Sequence, residues 1–574
     1  MQKFSQPENY QPPDIPLANN FIWGVKIPMR DGVQLNATLY KPRDGKPTPA
    51  IFTLTPYLAD GAHSRGVYFA QNGYAFAAVD TRGRGNSEGE FQPIAHEAQD
   101  GCDVVEWLAV QPWCDGQVAM WGGSYGGYAQ WVILREALPH LKTIVPTAAA
   151  HAGVDFPFFK NIFMSIGMQW LTYVSGTARN MNIMDDPAFW IARFQEMYQQ
   201  HRPYRELDKI VGNTSTHFQT WVSHPHQDDY WDQMTLSPGQ YDQINLPILT
   251  ITGHYDDDQP GAMEYYRSHM ASSSPARETH YLVIGPWDHP GTRNPKPEFG
   301  GLHFSEASVL DMNLLHKQWY DWTLKGGKKP SFLKKRVAYY VMGEEKWKFA
   351  ESIEAIGARV KKLYLCSDGS PIDVFHSGRL EKRVVSGAAF DRFTYDPLDT
   401  RPGELEWKPA EETNTEQSYD MNLFGNGLVY HSEQLTQDTE ITGWVRLHAW
   451  IELDVPDTDF WARLSEVLPD GRVIQLTHDL LRARYRESLR EEKLVVPGEV
   501  NLYTFDGFTF FSRRISKGSR LRLVVSCPNT IFLEKNYNSG GVVANESGKD
   551  ARTAHVKLYH DHEHSSYLEL PVVR

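Results

Sequence analysis

Apolar and polar positions divide the chain into stretches with different periods. Runs at 25–28 and 35–40 flank Arg30-Asp31-Gly32, which predicts a hairpin. Short apolar runs at 50–54, 75–80, 117–121 and 143–146 read as buried strands, while 97–110 and 127–137 carry apolar residues at helical spacing. Strands that alternate with helices imply a mostly parallel sheet covered on both faces. From 151 to 245 the pattern turns helix-like and bulky, with Phe156-Pro157-Phe158-Phe159, Met164, Met168, Trp170, Phe189, Trp190, Phe194 and Met197. Alternation resumes with strands at 246–252 and 280–284 and a helix at 309–324. Beyond Gly326-Gly327-Lys328-Lys329-Pro330 the helix signals nearly vanish. Turn residues there separate short β-patterned runs at 337–341, 360–365, 445–451, 472–476, 500–503, 521–525 and 555–559, which predicts a sandwich or jelly roll. The expected organisation is an α/β domain from 1–150 and 246–335, a helical cap inserted at 151–245, and an all-β domain at 336–574. Such a cap would cover the carboxyl ends of the strands, where open α/β sheets bind ligands.

One short string carries chemistry. Gly122-Gly123-Ser124-Tyr125-Gly126 has the Gly-x-Ser-x-Gly spacing of a nucleophile elbow and falls between an expected strand and an expected helix. Glycines at 122 and 126 are expected to relieve crowding around the serine. A serine hydroxyl needs a histidine to take its proton and a carboxylate to fix that histidine's tautomer. With 22 histidines in the chain, position relative to the strands has to choose among them. In the α/β-hydrolase order of serine, acid, histidine, each partner follows a later strand. His254-Tyr255-Asp256-Asp257-Asp258 follows the strand at 246–252, and Pro286-Trp287-Asp288-His289 follows the one at 280–284. His289 is the expected base. Asp256 comes first beyond its strand and is the expected acid, with Asp257 and Asp258 left open as alternatives. For the oxyanion, the amide of Tyr125 is one expected donor; the second should come from Thr55-Pro56-Tyr57, by a backbone amide or by the Tyr57 hydroxyl. Read alone, Tyr57 is equally an ordinary packed aromatic.

Composition narrows the setting. A chain of 574 residues is too long for one core. The net charge of −14 argues against nucleic acid or an anionic membrane as partner. No apolar stretch reaches bilayer length and the first residues show no secretory signal, so a cytoplasmic protein is expected. Four cysteines without metal-ligand spacing predict neither a disulfide framework nor a metal site, and no cofactor is expected. Aromatics make up 13% of the chain, enough to wall a pocket for an acyl or ring-bearing ligand as well as to pack a core.

Together Thr55-Pro56-Tyr57, Asp80-Thr81-Arg82-Gly83-Arg84-Gly85 with Ser87-Glu88-Gly89, Trp113-Cys114-Asp115-Gly116, the Ser124 elbow and Gly285-Pro286-Trp287-Asp288-His289 resemble the cocaine esterase and glutaryl acylase family. That family is related to α-amino-acid ester hydrolases and X-Pro dipeptidyl-peptidases. Val341-Met342-Gly343, Asp457-Thr458-Asp459-Phe460 and Pro469-Asp470-Gly471-Arg472 resemble its β-domain. The resemblance implies an α/β-hydrolase domain, a helical cap and a jelly roll. It also implies Ser124 as nucleophile, Asp256 as acid, His289 as base, and the Tyr57 hydroxyl beside the Tyr125 amide as oxyanion donors. The size of the family's β-domain suggests a homodimer. The expected substrate is a small ester, or an amide, with a bulky acyl group. Asp155, Phe156, Phe159, Trp170, Asp258 and Trp287 are the candidate substrate-binding positions. In the α-amino-acid ester hydrolases a carboxylate cluster holds the substrate's ammonium. Asp258 stands where one such carboxylate is expected and Asp155 is a candidate for another, but Gln259 replaces the next. Release of dipeptides or aminoacyl groups is therefore the alternative activity, and a non-catalytic binding protein is the third reading.

Overall fold

A central sheet of ten strands carries the first half of the chain. In this computed structural model, residues 19–385, 387–406, 414–418 and 420–573 are described. The strands are β1 (Asn19–Pro28), β2 (Gln34–Pro42), β3 (Thr48–Thr55), β4 (Ala75–Asp80), β5 (Cys114–Ser124), β6 (Leu141–Ala149), β7 (Ile248–Tyr255), β8 (His280–Asp288), β9 (Val337–Val341) and β10 (Lys346–Ala350). Their spatial order is β1-β2-β4-β3-β5-β6-β7-β8-β9-β10. From β4 through β9 neighbouring strands run parallel, and antiparallel strands close both edges. The central strands are buried almost throughout, which explains why they read as apolar runs rather than as an alternation.

Helices cover the two faces. On one side α2 (Glu97–Ala109) and α3 (Tyr125–Val132) pack Val104, Leu108, Ala129 and Trp131 against Phe52, Met120 and Ile144. On the other, α1 (His63–Gln71) and the helix Met312–Lys325 pack Phe69, Met312, Trp319 and Tyr320 against Ile51, Ala119 and Val283. The cap supplies α4 (Ile166–Tyr173), α5 (Met181–Met184), α6 (Pro187–Gln199), α7 (Leu207–Val211), α8 (Thr216–Trp221), α9 (Asp229–Asp232) and α10 (Pro238–Asp242). Back in the α/β domain, α11 (Gln259–Ala271) follows β7, and Met312–Lys325 is α12. Not all of the cap's bulky stretch is helical. Phe158–Phe159 and Ile162–Phe163 form a two-stranded ribbon. Pro157 lacks the amide a helix needs, and Lys160 and Asn161 sit at φ 51° and 62°, so a helix cannot continue there.

The sheet runs past the expected boundary at 335, because the runs at 337–341 and 346–350 join the α/β sheet as β9 and β10. A β-patterned run looks alike whichever sheet it enters. The strands of the all-β domain begin at Arg359 and end at Val573, thirteen among the described residues. Their pairings are antiparallel apart from Gly378–Glu381 beside Gly427–Ser432. In Arg446–Leu453 buried Leu447, Ala449, Ile451 and Leu453 alternate with less buried neighbours, the period-two pattern that was readable in the sequence. Buried Arg482 joins this domain to the cap, donating to the Asn161 carbonyl at 3.0 Å while paired with Asp459 and Glu534.

Among the described residues, no helix is long and apolar enough to cross a membrane. No group of three or more His, Cys, Asp or Glu among them could hold a metal ion.

Candidate active site

Ser124 ends β5 and opens α3 at φ 60° and ψ −124°, a backbone conformation rare outside glycine. Strain of this kind is held only where the surrounding packing enforces it. Here the packing falls on glycines 122, 123 and 127. A Cβ on Gly122 would lie 3.0 Å from the Gly126 carbonyl, and one on Gly127 would lie 2.8 Å from the Ala149 Cα. A Cβ on Gly123 would strike the Arg293 guanidinium. At Gly126, expected to be as restricted as Gly122, the nearest atom would be 3.7 Å away. Gly126→Ala should therefore fold normally. Gly127→Ala should cost about 1–3 kcal/mol, because the backbone of β6 has to move. Thermal unfolding compares the two; equal losses of Tm would refute this steric account.

The strand order brings the candidate partners to the same end of the sheet. β5, β6, β7 and β8 are consecutive and parallel, so the loops after β7 and β8 open on the side where Ser124 stands. His289 directly follows β8, and its Nδ1 lies 2.8 Å from Asp256 Oδ1 and 3.7 Å from Asp258 Oδ2. Asp257 is exposed. Asp256 is fully buried, its Oδ2 accepting from the Thr252 hydroxyl at 2.8 Å and its Oδ1 from the Asp258 amide at 3.2 Å. A carboxylate fixed in this way can hold the His289 proton on Nδ1 and leave Nε2 as the base.

Tyr57 follows β3, and its hydroxyl lies beside Ser124. The same oxygen accepts the indole N–H of Trp170 at 2.9 Å. Burial pushes the phenol up to about 12, so it stays protonated and able to donate. Tyr125 offers the site only its backbone. Its side chain turns into the protein, donating to Glu97 and accepting from the Ile94 amide at 2.9 Å. Burial raises the Glu97 carboxyl to about 7.

The candidate substrate positions divide. Trp170, which reaches the Tyr57 hydroxyl, and Phe156 stand together, ring centroids 5.3 Å apart, and Trp170 stacks on Tyr125 at 5.7 Å. Phe159 packs instead against the cluster of Ile162, Trp461 and Leu480, at the junction with the β-domain. Trp287 is 1% exposed in the core under β8, its N–H spent on the Ser308 carbonyl at 2.9 Å. Placement after a strand suggested it for the site, but it faces inward. Asp155 is buried, and its two oxygens accept from the amides of His151 and Gly261 at 2.8 and 2.5 Å. Burial holds its carboxyl up to about 8. Asp258 keeps 13% exposure, and burial raises its carboxyl despite the opposing pull of His289 and Arg293. Gln259 is locked: Phe510 donates its amide to Oε1 at 2.6 Å, and Nε2 donates to the carbonyls of Phe510 and Gly253 at 2.9 and 2.8 Å.

Two further arginines stand out. Arg84, fully buried, donates to the carbonyls of Pro56 at 2.9 Å, Val174 at 2.7 Å and Ala178 at 3.1 Å, and so ties the Tyr57 loop to the end of α4. Its signal lay in the Arg-Gly-Arg-Gly string, which shows no partner by itself. Arg293 lies against Gly123, with a buried Nη1 that has no hydrogen-bond partner. Nothing in the sequence marked it.

Comparison with known proteins agrees with this layout. Residues 31–291 match the family model of the X-Pro dipeptidyl-peptidase (S15 family), and residues 332–569 match that of the X-Pro dipeptidyl-peptidase C-terminal non-catalytic domain. The cocaine esterase of Rhodococcus sp. (strain MB1 Bresler) is 28% identical over 96% of this chain and 98% of its own. Among solved structures, an aminopeptidase from a marine sediment Thaumarchaeota archaeon superposes with a TM-score of 0.84 at 21% identity, covering all of both chains. An α-amino acid ester hydrolase superposes with a TM-score of 0.83 at 22% identity, covering 99% of this chain and all of the other.

Proposed function

Because the chain belongs to the X-Pro dipeptidyl-peptidase-like serine hydrolases, the family of the cocaine esterase it resembles, we propose that it hydrolyses carboxylic esters with a bulky, apolar acyl group. The observation that carries this reading is the aromatic wall beside Ser124. Tyr57 stacks on Tyr173 and accepts the Trp170 N–H, and Phe156 packs edge-on against Trp170, a cluster that would give an acyl group an apolar surface. Ser124 Oγ attacks the carbonyl while His289 Nε2 takes its proton, and Asp256 steadies the imidazolium. The Tyr57 hydroxyl and the Tyr125 amide hold the oxyanion, the alcohol leaves with the proton from His289, and water then releases the acid. Four free, buried cysteines favour a reducing, cytoplasmic setting.

An amine-dependent peptidase is the weaker reading. A substrate ammonium would need ionised carboxylates. Burial raises the Asp155 carboxyl to about 8, which keeps it largely protonated near neutral pH, and Gln259 carries no charge and is fixed by Phe510. Only Asp258 is left, and it already lies beside His289. The test sets p-nitrophenyl benzoate against aminoacyl and Xaa-Pro p-nitroanilides. Expected are ester hydrolysis without any free amine and labelling of Ser124 by a fluorophosphonate. Cleavage confined to substrates with a free amino group would overturn the ester reading, and no labelling would favour a non-catalytic protein.

A further inference from the structure

The cap meets the Tyr57 hydroxyl through the Trp170 indole, 2.9 Å away. An indole N–H can only donate. In that bond the phenol oxygen must accept, so its single proton has to point elsewhere. Ser124, on whose Oγ the tetrahedral intermediate would form, lies beside that hydroxyl. In the proposed mechanism His289 draws the serine proton away, so the phenol proton is the one available to the developing oxyanion. Both rings are held in place. Tyr57 stacks on Tyr173 with centroids 5.4 Å apart and planes 17° apart, and Trp170 stacks on Tyr125 at 5.7 Å and 19°. Arg84 fixes the backbones behind them by bonding the carbonyls of Pro56 and Val174.

We infer that Trp170 is a positioning residue for the oxyanion hole: its N–H makes Tyr57 a donor aimed at the carbonyl oxygen on Ser124, so that the cap orients a group of the α/β domain. The inference rests on the reading of Tyr57 as an oxyanion donor. It gives Trp170 a role that its place in the aromatic wall does not require. A wall residue acts through contact with the acyl group and governs KM. A residue that aims the donor acts only once the oxyanion forms and governs kcat.

A double-mutant cycle separates the two roles. Trp170→Phe keeps an aromatic ring and removes the N–H; Tyr57→Phe removes the hydroxyl. The two variants, their combination and the unaltered protein are assayed on p-nitrophenyl benzoate. Active sites are counted by fluorophosphonate titration, so that unfolded chains do not enter kcat. Tyr57→Phe is expected to lower kcat by about 10²–10³, the usual cost of one oxyanion donor. Trp170→Phe should lower it by about tenfold, a fraction of that cost, with KM within about twofold. The double variant should match Tyr57→Phe, since without the hydroxyl there is nothing left to aim. Multiplying losses, or a loss confined to KM, would overturn the inference and leave the esterase mechanism standing. An unchanged kcat in Tyr57→Phe would remove the oxyanion reading itself, and the inference with it.

Discussion

Ser124→Ala is expected to lower kcat for p-nitrophenyl ester hydrolysis by about six orders of magnitude, the cost of deleting a triad nucleophile in a serine protease. What survives would come from binding and the oxyanion donors, which still outpace water by about 10³–10⁴. The fold should tolerate the change. Alanine has the same difficulty as serine at φ 60°, so the strain in the elbow remains, and no core contact is lost. Tm should thus stay close to that of the unaltered protein, while fluorophosphonate labelling disappears. Retained ester hydrolysis in Ser124→Ala would show that the chemistry runs elsewhere.

Asp256→Asn should lower kcat by about 10⁴, as the same exchange does where it leaves a serine triad's geometry intact but imposes the wrong imidazole tautomer. The reason is visible in the donors around the carboxylate. Oδ2 accepts from the Thr252 hydroxyl, and Oδ1 from the Asp258 amide as well as facing His289 Nδ1. Asparagine carries no charge to steady the imidazolium in either orientation, and with its oxygen on Thr252 its NH₂ turns toward His289. Nδ1 then becomes an acceptor, the proton moves to Nε2, and the imidazole can no longer take the proton of Ser124. The neighbouring Asp258, 3.7 Å from Nδ1, is the one group placed to compensate. A Asp256→Asn variant with more than about a tenth of normal kcat would assign the acid's role to Asp258; the two single variants, measured side by side, decide it.

The sequence already contained much of this site, and the reasons differ by residue. Ser124, Asp256 and His289 could be placed because each lies just past a buried strand, and strand ends in a parallel sheet converge. Choosing among Asp256, Asp257 and Asp258 needed side-chain directions, since three adjacent residues share one strand end. Trp287 shows the limit of the same rule: it also lies at a strand end, yet its indole turns into the core to reach Ser308. Phe159 reads like its neighbour Phe156, but the ribbon at 158–163 sends it toward the β-domain. Arg84 could not have been assigned, because its partners are backbone atoms distant in the chain, nor Arg293, because it lies against a glycine distant in the chain. The α/β sheet was legible through its period, whereas the pairing of β9 and β10 with that sheet was not, because periodicity reports a strand and not its neighbours.

The side chain of Gln259 grips the backbone of Phe510, 251 residues further along the chain. Gln259 also opens the helix that follows Asp256, so the loop carrying the acid is pinned by a strand region made much later. At ribosomal rates of about 5–20 residues per second, roughly 12–50 s pass between the emergence of the two partners. During that interval the newly made α/β domain holds Ser124 and the acid loop without the clamp. The order of synthesis thereby delays the clamp behind the acid loop until the β-domain has been made, while Thr252 and the Asp258 amide hold the carboxylate from within the loop itself.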